Sequence, residues 1–119
     1  MTTDPDCLFC KIATGQIPAD VIARTDGAIA FRDVNPQAPT HVLVIPAEHV
    51  PSLAKVPTDT GDGGAMLAEL VALANRVAAD EGVGGGYRVV TNIGAEAGQS
   101  VEHLHLHVLG GRPMAWPPG

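Results

Sequence analysis

Aromatic residues are nearly missing from this chain: two Phe, one Tyr and one Trp in 119 residues. Its core must therefore be built mainly from Val, Leu, Ile and Ala. Basic residues are also few. Seven Lys and Arg stand against thirteen Asp and Glu, a formal charge of −6. That balance argues against nucleic acid as the partner, because proteins that bind it present basic patches. It does not exclude a small phosphate ligand, which backbone N–H groups and a few polar side chains can hold. No apolar run approaches the roughly 20 residues that a membrane span needs, so no membrane partner is expected. The segment Met1–Asp6 is acidic and no long apolar stretch follows it, unlike a secretory signal. The expected location is cytoplasmic. Cysteine is limited to Cys7 and Cys10. In a reducing compartment, a Cys-x-x-Cys pair favours metal binding or redox work over a structural disulfide.

Apolar residues make up 45% of the chain and charged residues 17%, which suits one globular domain over residues 1–119. Leu8, Phe9, Ile12 and Ala13 give residues 7–14 a helical spacing, and Gly15 and Pro18 end that short helix. Residues 21–24 and 28–32 read as strands joined by a Thr25-Asp26-Gly27 turn. Asn35 to Pro39 is a rigid loop. The β-branched run His41 to Ile45 is a buried strand stopped by Pro46. Residues 58–64, rich in Gly and Asp, are expected to be a loop. From Ala65 to Asp80 apolar residues recur at helical spacing, the one long helix. Residues 87–91 form the next strand, 92–99 a loop, and an irregular tail starts at Gly110. The predicted class is α+β: a mainly antiparallel five-stranded sheet with one long and one short helix.

Three of the five histidines, His103, His105 and His107, fall at alternate positions. A period of two is the strand period, so their rings are expected on one face and Leu104, Leu106 and Val108 on the other. A polar sheet face, a zinc site with a ligand from elsewhere, and nucleophilic or acid–base catalysis all fit such a row. Neighbouring rings stand roughly 6.5 Å apart at the backbone, so two can touch one phosphate-sized group. The segment Gly98-Gln99-Ser100 just before the row can offer donors to phosphoryl oxygens.

The sequence His-Leu-His-Leu-His-Val-Leu at 103–109 resembles the signature of the histidine triad (HIT) superfamily. The flanks are similar to its Hint branch: Phe9-Cys10-Lys11-Ile12, Ile17-Pro18-Ala19, Pro36 to His41, Leu43 to Pro46, Gly86-Tyr87-Arg88, Gly98 to Val101, and the tail Gly110 to Gly119. Ile93, Glu102 and Ala115 depart from the residues common there. The resemblance implies a HIT-like fold whose sheet extends across a homodimer. It implies a hydrolase of purine nucleoside 5′-phosphoramidates working through a nucleotidyl-histidine intermediate. His105 would be the nucleophile, His107 would contact the phosphate and help the departing amine, and His41 would support the central histidine. Asn92, Gly98, Gln99 and Ser100 would meet phosphate. Leu8, Phe9, Ile12, Phe31, Arg32, Asp33 and Val34 would surround base and ribose. Zinc-containing relatives further imply a structural zinc on Cys7, Cys10, His49 and His103. Two other functions stay open: dinucleoside polyphosphate hydrolysis, as in the Fhit branch, and a nucleotide-binding or interaction module with incidental catalysis.

Overall fold

Strand β2, Ala28–Arg32, alternates between two cores. Ala28 and Ala30 pack with one apolar cluster, Ile29 and Phe31 with another. This is the side-chain period of two at work in a sheet covered on both faces. A computed structural model describes residues 2–119; Met1, the first residue of the acidic N-terminal segment, lies outside them. Five strands form one antiparallel sheet in the order β1-β2-β3-β5-β4. They are β1 Val21–Arg24, β2, β3 Thr40–Pro46, β4 Tyr87–Val90 and β5 Leu106–Gly110. All seven residues of the central strand β3 are buried.

The long helix α2, Gly61–Asp80, covers one face. Its buried Leu70, Leu73, Ala74, Val77 and Ala78 form a stripe at intervals of three and four, the spacing of a core-facing helix. They meet Val42, Val44, Leu104, Leu106 and Val108. The short helix α1, Leu8–Ala13, covers the other face and buries Phe9, Cys10 and Ile12 against Ile29, Phe31, Leu43 and Ile45. Among the described residues, no helix is long and apolar enough to cross a membrane.

Strands β1 to β4 match the sequence reading to within one residue at each end, whereas β5 begins three residues after the first histidine of the row. Helix α2 also departs from it: it starts at Gly61, four residues before the expected Ala65, within the segment 58–64 read as a loop. Gly is a poor helix former, and Gly61, Gly63 and Gly64 hide this first turn from a propensity argument. Tertiary packing decides instead. A Cβ on Gly63 would stand 1.8 Å from the Pro57 carbonyl oxygen, so the helix docks there only because the side chain is absent.

Gly64, one residue on, has nothing within 4 Å of its Cβ position. Gly63→Ala should therefore cost about 2 kcal/mol through overpacking. Gly64→Ala should gain up to about 1 kcal/mol from better helix propensity. Urea unfolding midpoints of the two variants measure both, and equal effects at the two positions would refute the packing account.

Candidate active site and metal centre

The alternation across residues 103–108 holds, but not all of it is strand. Strand β5 begins only at Leu106, so His103 and His105 precede it. Leu104, Leu106 and Val108 still face α2, and the histidines face α1. That face is no open polar surface. His103 is fully buried and His105 is 5% exposed. The Phe9 ring of α1 lies edge-on to His105, with centroids 5.1 Å apart.

Each buried imidazole must satisfy its nitrogens, and the partners fix the tautomers. His105 Nδ1 is 2.7 Å from the His103 carbonyl oxygen. A carbonyl only accepts, so Nδ1 carries the proton. In neutral His105 the lone pair then lies on Nε2. His103 donates from Nε2 to the Pro46 carbonyl at 2.8 Å. Its own lone pair therefore lies on Nδ1.

His41 lies beside His107, not beside the central histidine as expected. The register explains this: His41 sits opposite Leu109 and His107 opposite Leu43. The two are diagonal neighbours on one face of the β3–β5 pair. His41 Nε2 is 2.9 Å from His107 Nδ1 and 3.4 Å from Asp33 Oδ2. The Gln37 backbone N–H donates to His41 Nδ1 at 3.0 Å. Burial pushes the His41 imidazole below its ordinary value, against the pull of Asp33. Burial, helped by His105 and His41, pushes His107 down to about 4, so that ring is neutral at neutral pH. Among the described residues, His107 Nε2 is the only buried side-chain nitrogen or oxygen without a hydrogen-bond partner. A buried polar atom left unpaired is costly.

A cavity of about 610 Å³ opens beside these rings. His105, His107, Phe9, Phe31, Asp33 and Ser100 all line it. So do Ile17–Asp20 and Val101, for which the site reading gave no role. Asp33 is partly committed: its Oδ1 accepts from the Asn35 N–H at 2.8 Å, a side-chain turn before Pro36. Arg32 reaches the rim, but its guanidinium turns to Glu81, at 2.5 and 3.0 Å. Strand alternation sends it to the α2 face, away from a sugar.

Asn92, Gly98 and Gln99 do not line the cavity. Gln99 spends itself on the loop. Its N–H donates to the Gly94 carbonyl, its Oε1 accepts from the Gly94 N–H, and its Nε2 donates to the Pro51 and Val101 carbonyls. Gly98 adopts φ +92°, a left-handed turn that glycine allows at no steric cost. These residues shape the loop that presents Ser100.

Cys7, Cys10, His49 and His103 place their ligand atoms within 4.8 Å of one another. Cys7 Sγ is 3.3 Å and Cys10 Sγ 3.6 Å from His103 Nδ1, and Cys10 Sγ is 3.4 Å from His49 Nδ1. Ligands of a tetrahedral zinc, at roughly 2.3 Å for sulfur and 2.0 Å for nitrogen, stand roughly 3.5 Å apart. The donor set and spacing fit such an ion. The Pro46 carbonyl also orients His103 as outer partners orient metal-bound histidines. The grouping of Asp33, His41 and His107 is also compact but unsuited. Its two nitrogens stand at hydrogen-bond distance, and the Gln37 N–H forces His41 to donate where a ligand must offer a lone pair.

The HIT domain model matches residues 14–114. An uncharacterized HIT-like protein of Synechocystis is 51% identical over 114 residues, 96% of this chain and 97% of that protein. The crystal structure of a HIT family hydrolase from Legionella pneumophila superposes with a TM-score of 0.89 at 48% identity, covering 96% of this chain and all of that one. A histidine triad nucleotide-binding protein from Candida albicans gives a TM-score of 0.78 at 29% identity, over 96% and 85% of the two chains. With the family model and a half-identical relative both spanning nearly its whole length, this chain belongs to the HIT domain family.

Proposed function

We propose that this protein is a nucleotide hydrolase that cleaves purine nucleoside 5′-phosphoramidates. One observation carries the reading. The His103 carbonyl holds the His105 Nδ1 proton, leaving the Nε2 lone pair of neutral His105 for attack on phosphorus, beside the unpartnered Nε2 of His107. A neutral imidazole lone pair is a nucleophile that can form a covalent intermediate. His105 Nε2 attacks the α-phosphorus, the P–N bond breaks as the nitrogen takes a proton from solvent and leaves as the amine, and water later releases the nucleoside monophosphate from His105, returning a proton to solvent. His107 contacts the phosphate and the departing amine as a hydrogen-bond donor, and loss of one such donor typically costs about 10²–10³-fold in rate. Phe9 and Phe31 supply apolar walls for the base. Asp33 offers acceptors for ribose hydroxyls, and Ser100 a donor for the phosphate. The relatives support the class: a family hydrolase and a nucleotide-binding protein are among the similar structures.

The group Cys7, Cys10, His49 and His103 is read as a structural zinc site. The ion would tie α1 to the segment that carries the catalytic histidines. The protein is further read as a homodimer. The outer strand β4 has a free edge, and Val89 on it and Ile93 just beyond are 45% and 46% exposed. An unpaired edge with apolar side chains is a ready surface for a second copy.

His105→Ala should abolish turnover of adenosine 5′-phosphoramidate; more than about a tenth of the wild-type rate would refute the nucleophile, since such substitutions cost far more. Diadenosine polyphosphates, assayed beside it, should be the poorer substrates, and the reverse order would favour a polyphosphate hydrolase. Protein purified without added metal should carry close to one zinc per chain, and Cys10→Ser should lose it. Less than about one zinc in ten wild-type chains would sink the metal reading, since a closed Cys₂His₂ site holds zinc tightly. Sedimentation should give twice the 12.2 kDa chain mass, and a monomer at micromolar concentration would overturn the dimer.

A further inference from the structure

The Gln37 side chain reaches only the nearby Asn35 carbonyl and is exposed. Its backbone N–H does something else: it points at His41 Nδ1 from 3.0 Å. An amide N–H has a proton to give and no lone pair to offer. His41 Nδ1 must therefore accept, and neutral His41 carries its proton on Nε2. That nitrogen faces His107 Nδ1 at 2.9 Å, which must accept in turn. Neutral His107 then carries its proton on Nε2, the buried atom with no protein partner, on a ring that lines the cavity. We propose that the Gln37 backbone amide is a positioning group for the reaction. It sets the polarity of the His41–His107 pair, so that His107 presents an N–H to the reacting group and never a lone pair.

The chain of donors runs one way: Gln37 N–H to His41, His41 N–H to His107, His107 N–H to the cavity. Reversal would bring two N–H groups face to face at Gln37 and His41. The neighbouring Asp33 Oδ2, 3.4 Å from His41 Nε2, favours the same direction because a carboxylate accepts. A second proton on His107 is opposed as well, since its Nδ1–H would meet the His41 Nε2–H. The pair therefore helps a departing group by hydrogen bonding, while the proton that the departing nitrogen takes up comes from solvent. Handing over the proton outright would leave His41 as an imidazolate, because the Gln37 amide has no second proton to pass along. This assigns a role to a main-chain group whose side chain is irrelevant to it.

The catalytic consequence rests on the reaction proposed above; the polarity does not. Long-range ¹H–¹⁵N spectra of ¹⁵N-histidine-labelled wild-type protein at neutral pH read the tautomers directly. The expected result is a bare Nδ1 and a protonated Nε2 on both His41 and His107. A protonated Nδ1 on either ring overturns the proposal. Two variants then test the consequence. Gln37→Pro deletes the N–H, and Gln37→Ala keeps it. With a phosphoramidate substrate, kcat of the proline variant should fall about tenfold or more below that of the alanine variant, as wrong tautomers do to catalytic histidines. KM should stay within about threefold, and His107 should show mixed tautomers. Equal kcat in the two folded variants overturns the role. If the proline variant does not fold, the wild-type spectrum alone decides. Failure of the phosphoramidase reading shows up separately, as no turnover by wild-type protein with unchanged spectra.

Discussion

The hydrogen bond from His105 Nδ1 to the His103 carbonyl, 2.7 Å long, is the contact on which the site depends. It decides which nitrogen of His105 keeps a lone pair, and it is only as rigid as the carbonyl. That carbonyl is held on all sides. The His103 N–H donates to the Val101 carbonyl at 2.9 Å, and the Leu104 N–H to the Val50 carbonyl at 2.6 Å. The His103 ring donates to the Pro46 carbonyl, at the end of β3. Its remaining nitrogen faces the two cysteines. A neutral buried hydrogen bond contributes only about 1 kcal/mol net. Its value here is orientation, which a stability measurement registers weakly.

The position of α1 follows from the same constraint. The helix is six residues long, too short to be stable alone. It is held at its start by Cys7, whose sulfur accepts from the Cys10 N–H, and by the sulfur–histidine group just beyond. Between the two cysteines stands Phe9, which packs on His105 and on Phe31, with centroids 5.1 and 5.5 Å apart. The two cysteines of the sulfur–histidine group and the wall of the cavity thus belong to one turn of helix. His103 sits on both sides of the arrangement: its ring belongs to the sulfur group and its carbonyl holds the His105 ring. This explains why three equally spaced histidines have three different environments.

Much of this was legible in the sequence, and what was not has a physical reason. The period-two row showed that Leu104, Leu106 and Val108 face one way and the histidines the other. It could not show that the paired strand starts only at Leu106, because burial by α1 and loop hydrogen bonds hold His103 and His105 without a ladder. Glycines hid the first turn of α2, since Gly63 is required by a contact with Pro57 that no local pattern reveals. The partner of His41 depends on the register between β3 and β5, a long-range fact. Gln99 has the composition of a phosphate loop, but its amide braces that loop from within. The Gln37 N–H leaves no trace in the sequence, because every residue except proline has that group, and side-chain identity says nothing about where it points.

The charges around the cavity bear on the proposed reaction. Among the lining residues the only cationic side chain is Arg32, and its guanidinium is bound to Glu81. Asp20 and Asp33 add negative charge to the wall, and His107 is neutral, pushed down to about 4 by burial. Ligand oxygens there meet neutral donors, without an ion pair to repay the loss of water from a strongly charged group. Such a site accepts one negative charge at lower cost than two. In the proposed reaction the phosphorus under attack carries a single charge while it is bonded to nitrogen or to His105. The released monophosphate gains a second charge as its last proton, with a pKa of about 6, is lost. For that proposed reaction, the absence of a free lysine or arginine among the lining residues would weaken the hold on product more than on substrate, and so favour release after hydrolysis.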